Sequence, residues 1–137
     1  MNVAVVGLGA MGSRIAARLL DHGHDVVVWN RDPERSRLLV ERGATAADSP
    51  RAAAEQAEAT ITMVTDPEAL RAVTEGDDGV LAGLAESRFL VQMSTVSPEA
   101  TERLAGVAGE RLLDSPVRGS IGEVRSRNAR DLRRGLG

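Results

Sequence analysis

The chain has 137 residues, a formal net charge of −3 and 42% apolar residues, enough for one domain that buries roughly two-thirds of its extended-chain surface. All 17 basic residues are arginine, and Cys and Tyr are absent. These absences exclude lysine Schiff-base chemistry, disulfides and thiolate zinc sites, and with one Trp and one Phe they argue against an aromatic platform for nucleic acid.

Residues 2–6 are apolar at four of five positions and read as a short buried strand, with a glycine-bounded step behind them. The helix that follows starts near Met11, carries Met11, Ile15, Ala16, Leu19 and Leu20 at helical spacing, leaves Ser13, Arg14, Arg18 and Asp21 to water, and stops at Gly23. Residues 25–30 form the second strand, and Asp32-Pro33 opens a helix over 33–42. A short extended piece at 44–46 precedes a Ser49-Pro50 start and an alanine-rich helix to about Ala57. A strand at 60–64, a helix from Asp66-Pro67 to about Val73, a polar turn at 76–79 and an apolar segment at 80–84 come next. Residues 89–93 are a strand, Ser97-Pro98 opens a helix ending near Gly109, and 111–113 is one more short strand.

This alternation of apolar strands and helices with short connections predicts an α/β fold. It is a Rossmann-like, mostly parallel sheet with helices on both faces, three layers in all, with its binding crevice beyond the carboxyl ends of the strands. Beyond Val117 the periodicity fails. Residues 118–137 hold 6 arginines and 2 acidic groups, a local charge of +4 against −7 for residues 1–117. The expected organisation is therefore a dinucleotide-binding domain at 1–117. An arginine-rich tail at 118–137 follows it, either solvated and partly disordered or the cut-off start of a longer segment. With no apolar run of about 18 residues and no basic stretch ahead of the apolar opening, neither a membrane span nor a secretory signal is expected, and a cytoplasmic setting fits.

Gly7-Leu8-Gly9-Ala10-Met11-Gly12 is GxGxxG set between the first strand and the first helix, the context in which the motif binds a dinucleotide. Gly7 permits the tight turn, Gly9 the approach of a pyrophosphate, Gly12 close packing of helix on sheet, and the helix amides meet the phosphate charge. At the end of the second strand Asn30 and Arg31 stand where an NAD-binding domain often carries an acid. Asn30 can bond the ribose and Arg31 can pair with a 2′-phosphate, which favours NADP, with NAD still open, while Asp32 opposes a phosphate unless it caps the helix. A second rim comes from Val64 and Thr65, and from Ser94 and Thr95, whose backbones can bracket ribose and nicotinamide and whose hydroxyls can hold a polar substrate. Such steps also serve as turns and caps. His22 and His24 lack a carboxylate cage and read as surface turn residues, so no metal site is expected. GLGAMGSR lacks the GK[ST] ending of a P-loop, and no Ser-His-acid arrangement is defensible.

Four ordered blocks, GLGAMGSRIAARLLDHGHDVVVWNRDPER, MVTDPEAL, VQMSTVSPE and LLDSPVRGSIG, resemble the N-terminal cofactor domain of the β-hydroxyacid dehydrogenase family over residues 1 to about 124. That family includes 3-hydroxyisobutyrate dehydrogenases and is similar to the corresponding domain of 6-phosphogluconate dehydrogenase. The resemblance implies a nicotinamide dinucleotide as partner, held by Gly7 to Gly12 with Arg31 selecting NADP. It places Val64, Thr65 and Thr95 on the cofactor side, and Ser94, Gly119 and Ser120 on the side of a small hydroxyacid. The lysine that moves the proton in the family has no counterpart here, and Arg118 replaces a small residue in the family's PVSGG. No catalytic residue is therefore assigned.

The leading expectation is an NADP(H)-binding domain of a hydroxyacid dehydrogenase-like oxidoreductase, cut short and incomplete for catalysis alone. A second copy or a complementing protein domain would be its macromolecular partner. An imine reductase-like cofactor domain, a dinucleotide-responsive interaction protein without turnover, and a nonfunctional shortened product are the alternatives.

Overall fold

The computed structural model describes residues 1–64, 66–85, 88–93 and 98–114. Its first half runs β1 (Asn2–Val6), α1 (Ala10–Asp21), β2 (Asp25–Trp29), α2 (Glu34–Glu41), β3 (Thr45–Ala46) and α3 (Pro50–Glu55). The second half runs β4 (Ala59–Thr62), α4 (Pro67–Thr74), α5 (Val80–Gly83), β5 (Phe89–Gln92), α6 (Pro98–Ala108), a 3-10 turn (Gly109–Arg111) and β6 (Leu112–Asp114).

Among the described residues six strands are ordered β3-β2-β1-β4-β5-β6, with every pairing parallel. Val5 lies opposite Val28 on one side and Ile61 on the other. After β1 the chain builds outward through β2 and β3, then returns to place β4 on the other flank of β1. The strand order reverses between β1 and β4, and the helices leaving those two strands splay apart to open a crevice at their carboxyl ends.

Both faces of the sheet are covered, which explains why β1 and β2 are apolar on successive residues rather than alternating. On one face Ala4, Val6 and Leu90 pack with Ala53 and Ala54 of α3, Leu70 and Val73 of α4, Val80 of α5 and Leu104 of α6. On the other, Val5, Val26, Val28 and Val91 pack with Ile15 and Ala16 of α1 and Leu39 of α2. Val5, Val6 and Val28 are completely buried, each burial contributing about 1.5–3 kcal/mol.

Local signals set the helix starts as expected. Ser49 Oγ accepts from the Ala52 amide at 3.0 Å and Asp66 Oδ1 from the Ala69 amide at 2.8 Å, each followed by a first-turn proline. Asp32 Oδ1 accepts from the Glu34 amide at 3.1 Å, and α2 begins one residue after Pro33. Three strand ends fall short of the sequence reading, β5 by one residue at Gln92 and, flanking β1, β2 at Trp29 and β4 at Thr62. The ladders of β2 and β4 finish with Gly7 donating to the Trp29 carbonyl and Met63 donating to that of Val6, both at 2.9 Å. Asn30 and Val64 consequently lie in the loops at the crevice. The apolar segment after Gly79 forms the short helix α5, packed on α3.

Candidate functional site

The loop from β1 into α1 sits over the crevice, and its three glycines have different jobs. Gly7 is buried with φ +101°, and a Cβ there would run into the Met63 carbonyl oxygen and approach Val64 Cγ1 to 3.1 Å. Gly12 is also buried, and a Cβ on it would collide with the Gly7 carbonyl, so α1 rests directly on the turn. A Cβ on Gly9 would meet nothing within 4 Å. Gly7 and Gly12 pack the protein against itself, whereas Gly9 keeps open a space that belongs to no other residue.

Around that space the backbone donors are unspent. Gly9 caps α1 without a side-chain hydrogen bond, and the first turn carries no acidic residue. Ser13 makes the first helical bond, to the Gly9 carbonyl at 2.9 Å. The amides of Gly9, Ala10 and Met11 belong to exposed residues and have no acceptor among the described residues. Donors pointing outward at the positive end of a 12-residue helix form an electropositive cradle for a phosphate group. The open side of Gly9 is what lets a pyrophosphate reach it.

Leu8, between the first two glycines, is fully buried. Its N–H donates to Asn30 Oδ1 at 2.8 Å, and its carbonyl accepts from Ser13 Oγ at 2.9 Å and Arg35 Nη1 at 3.4 Å. Leaving that buried N–H without an acceptor would cost about 1–3 kcal/mol. Ser13 thus turns inward to the loop, not to water as its helical position suggested, because a hydroxyl in the first turn can reach the preceding carbonyl. Neither Ser13 nor Arg35 was singled out from sequence. A serine directly after GxGxxG and an arginine in the first turn of the next helix are the signals that would have found them.

A groove of about 590 Å³ continues the site past the end of β2, lined by Trp29, Asn30, Arg31, Ser36 and Arg37 among others. Arg31 is exposed there and makes no ion pair among the described residues. Asp32 is turned to the Glu34 amide, so one of its carboxylate oxygens is engaged in capping α2 instead of facing a phosphate at Arg31. Val64, half-buried, stands against Gly7 on the other wall of the crevice. Of the remaining positions expected at the site, Thr65, Ser94, Thr95, Gly119 and Ser120 lie outside the described residues. Among the described residues no group of His, Cys, Asp and Glu is placed to hold a metal, and no helix is long and apolar enough to cross a membrane.

A parallel sheet with this strand order and a fastened glycine turn opening α1 define a dinucleotide-binding Rossmann domain. The chain belongs to the family of the NAD binding domain of 6-phosphogluconate dehydrogenase, whose pattern it matches over residues 2–130. It is similar to the uncharacterized oxidoreductase YfjR of Bacillus subtilis, 44% identical over 122 residues that make up 87% of this chain and 43% of that protein. It is 40% identical over 128 residues to a 3-hydroxyisobutyrate dehydrogenase of Pseudomonas aeruginosa, covering 91% of this chain and 43% of the relative. Among solved structures, an imine reductase from Myxococcus stipitatus in complex with NADP+ superposes with a TM-score of 0.79 at 27% identity, over 88% of this chain and 42% of that one. The chain therefore spans less than half the length of these relatives, and what it shares with them is the oxidoreductase nucleotide-binding domain.

Proposed function

We propose that this chain is the NADP(H)-binding part of an oxidoreductase that transfers hydride to or from small β-hydroxyacids. The observation that carries the reading is the pairing of an open, donor-lined glycine cradle with the guanidinium of Arg31, which makes no ion pair among the described residues, at the far end of the same crevice. Gly9, Ala10 and Met11 would hold the pyrophosphate through their amides, and Arg31 the 2′-phosphate, as a planar donor fork suits a phosphate. Val64, Thr65 and Thr95 would flank the nicotinamide ribose, with Ser94, Gly119 and Ser120 toward the substrate. When bound, the nicotinamide supplies the hydride, and the protein's part is to orient it and to manage the hydroxyl proton.

The second part of that task needs a group this chain does not carry. With no lysine among its 137 residues, the proton-transfer lysine implied by the hydroxyacid dehydrogenase resemblance must come from polypeptide outside them. Residues 1–137 alone should bind cofactor without turning over hydroxyacids. The similarity to an imine reductase supports a second reading in which the acceptor is a C=N bond and the cofactor half is the same.

Trp29, the only tryptophan, lines the groove and reports on binding. Titration with NADPH should quench its fluorescence saturably and at lower concentration than NADH does, and an unchanged signal with both would refute the reading. Rapid oxidation of 3-hydroxyisobutyrate by the homogeneous chain would refute the claim that catalysis needs more than these residues.

A further inference from the structure

Asn30 stands where the sequence reading puts a contact to the cofactor ribose, yet both polar atoms of its side chain are engaged within the protein. Oδ1 accepts from the Leu8 N–H at 2.8 Å and Nδ2 donates to the Asp32 carbonyl at 3.1 Å. The amide makes both bonds because one end accepts and the other donates, which an ionised carboxylate at this position could not do. The two bonds join the glycine loop to the turn that carries Arg31, across 22 residues of sequence.

Peptide geometry shows what the join does. The Leu8 N–H belongs to the Gly7-Leu8 peptide plane, and the Leu8 carbonyl belongs to the next plane, which also carries the Gly9 N–H. In a trans peptide the N–H points opposite to the C=O. Asn30 pins the first plane, and Ser13 Oγ with Arg35 Nη1 pins the second by its carbonyl. With that carbonyl held toward the protein, the Gly9 N–H is aimed away from it and into the open cradle.

We propose that Asn30 is a positioning residue, a latch that, together with the Ser13 and Arg35 bonds to the Leu8 carbonyl, fixes the backbone on both sides of Leu8 so that the Gly9 amide faces the cradle, and at the same time holds the Arg31 turn through the Asp32 carbonyl. This rests on the reading of the cradle as a dinucleotide site. The latch makes the phosphate-binding loop and the 2′-phosphate arm one preorganised unit before ligand arrives. A residue acting only as a ribose ligand would leave the free loop unchanged.

Two variants and two measurements test it. In the ligand-free protein, amide hydrogen exchange at Leu8 should accelerate at least about tenfold in Asn30→Ala and stay near the unsubstituted rate in Asn30→Asp, whose carboxylate still accepts that N–H. Exchange at Val5 and Val6 serves as the internal control for global unfolding. In binding, Asn30→Ala should weaken NADH about tenfold and NADPH by more, because the Arg31 turn loses its tether to the loop as well, and should weaken an NADH analogue lacking both adenosine-ribose hydroxyls by the same factor as NADH. Asn30→Asp should keep NADH binding within about threefold but lose the preference for NADPH, since its carboxylate cannot donate to the Asp32 carbonyl and repels a nearby phosphate.

Unchanged Leu8 exchange in Asn30→Ala would overturn the latch. So would a binding loss that disappears with the deoxygenated analogue, which would make Asn30 a ribose ligand. If the unsubstituted chain takes up neither dinucleotide, the functional reading fails, while the exchange comparison still decides whether Asn30 holds the loop. A change in unfolding midpoint alone would not reproduce the Asn30→Asp shift in ligand preference.

Discussion

The glycine loop after β1 and the groove between α4 and α6 both carry charged or hydrogen-bonding groups at the surface, and they differ in how those groups are used. In the α4–α6 groove, of about 280 Å³, the charges answer one another: Arg103 makes two hydrogen bonds to the Glu75 carboxylate at 2.9 and 3.1 Å, and Arg71 lies 3.8 Å away. The hydrogen bonds from Arg103 are the main reason the Glu75 carboxyl ionises below its ordinary value of 4.5. In the glycine loop the donors share one direction, no carboxylate occupies the first turn, and Arg31 is unpaired among the described residues. Concavity alone does not mark a ligand site; donors held in place with nothing to donate to are the better sign.

Substitutions at the glycines have the largest expected effects. Gly7→Ala combines a positive φ with a collision against the Met63 carbonyl, and should destabilise the fold by about 3 kcal/mol in a urea titration. Gly9→Ala should change stability by less than about 1 kcal/mol, because its Cβ meets nothing in the protein, yet lower NADPH affinity at least about tenfold by intruding between the amides and a pyrophosphate. Equal stability losses at the two positions, or normal NADPH binding by Gly9→Ala, would contradict the division of labour between them. Arg31→Ala should reduce the NADPH over NADH preference by about tenfold without altering the unfolding midpoint.

The smallest effect belongs to the second region. Glu75→Gln should leave NADPH affinity unchanged and remove one pH-dependent increment of stability. A carboxyl with a lowered pKa in the folded state stabilises the fold fully above its unfolded value of 4.5, and that contribution is lost as pH falls through the folded value. Urea midpoints of the two proteins should therefore differ near neutral pH and converge in acid. A cofactor affinity that tracked Glu75 would show that the two grooves are not independent.

Much of this was legible in the chain itself. The apolar runs at Val3 to Val6 and Val26 to Val28, the Ser49-Pro50 and Asp66-Pro67 starts, and GxGxxG between strand and helix each carry a local physical signal, and the parallel sheet follows from their order. The strand ends were less so. Where β2 stops depends on the Gly7 amide reaching the Trp29 carbonyl, a pairing between residues far apart in sequence. The same holds for the latch: nothing local to Asn30 says that its amide spans from Leu8 to Asp32, and Ser13 looked like a solvent-facing helix residue until the Leu8 carbonyl was placed beside it. Sequence periodicity reports which face a residue takes, whereas long-range side-chain bonds to backbone require the tertiary arrangement.

The central claim, that the donor-lined loop of this chain holds NADP(H), is tested most directly by thermal unfolding of residues 1–137 with and without NADPH. A ligand that binds only the folded state stabilises it by about 2.7 kcal/mol at a hundredfold excess over Kd, a rise in midpoint on the order of 10 °C for a domain of this size. The account predicts such a rise with NADPH, a smaller one with NADH at the same concentration, and a greatly reduced one in Gly9→Ala. No rise at millimolar NADPH, with the chain folded at the outset, would contradict it.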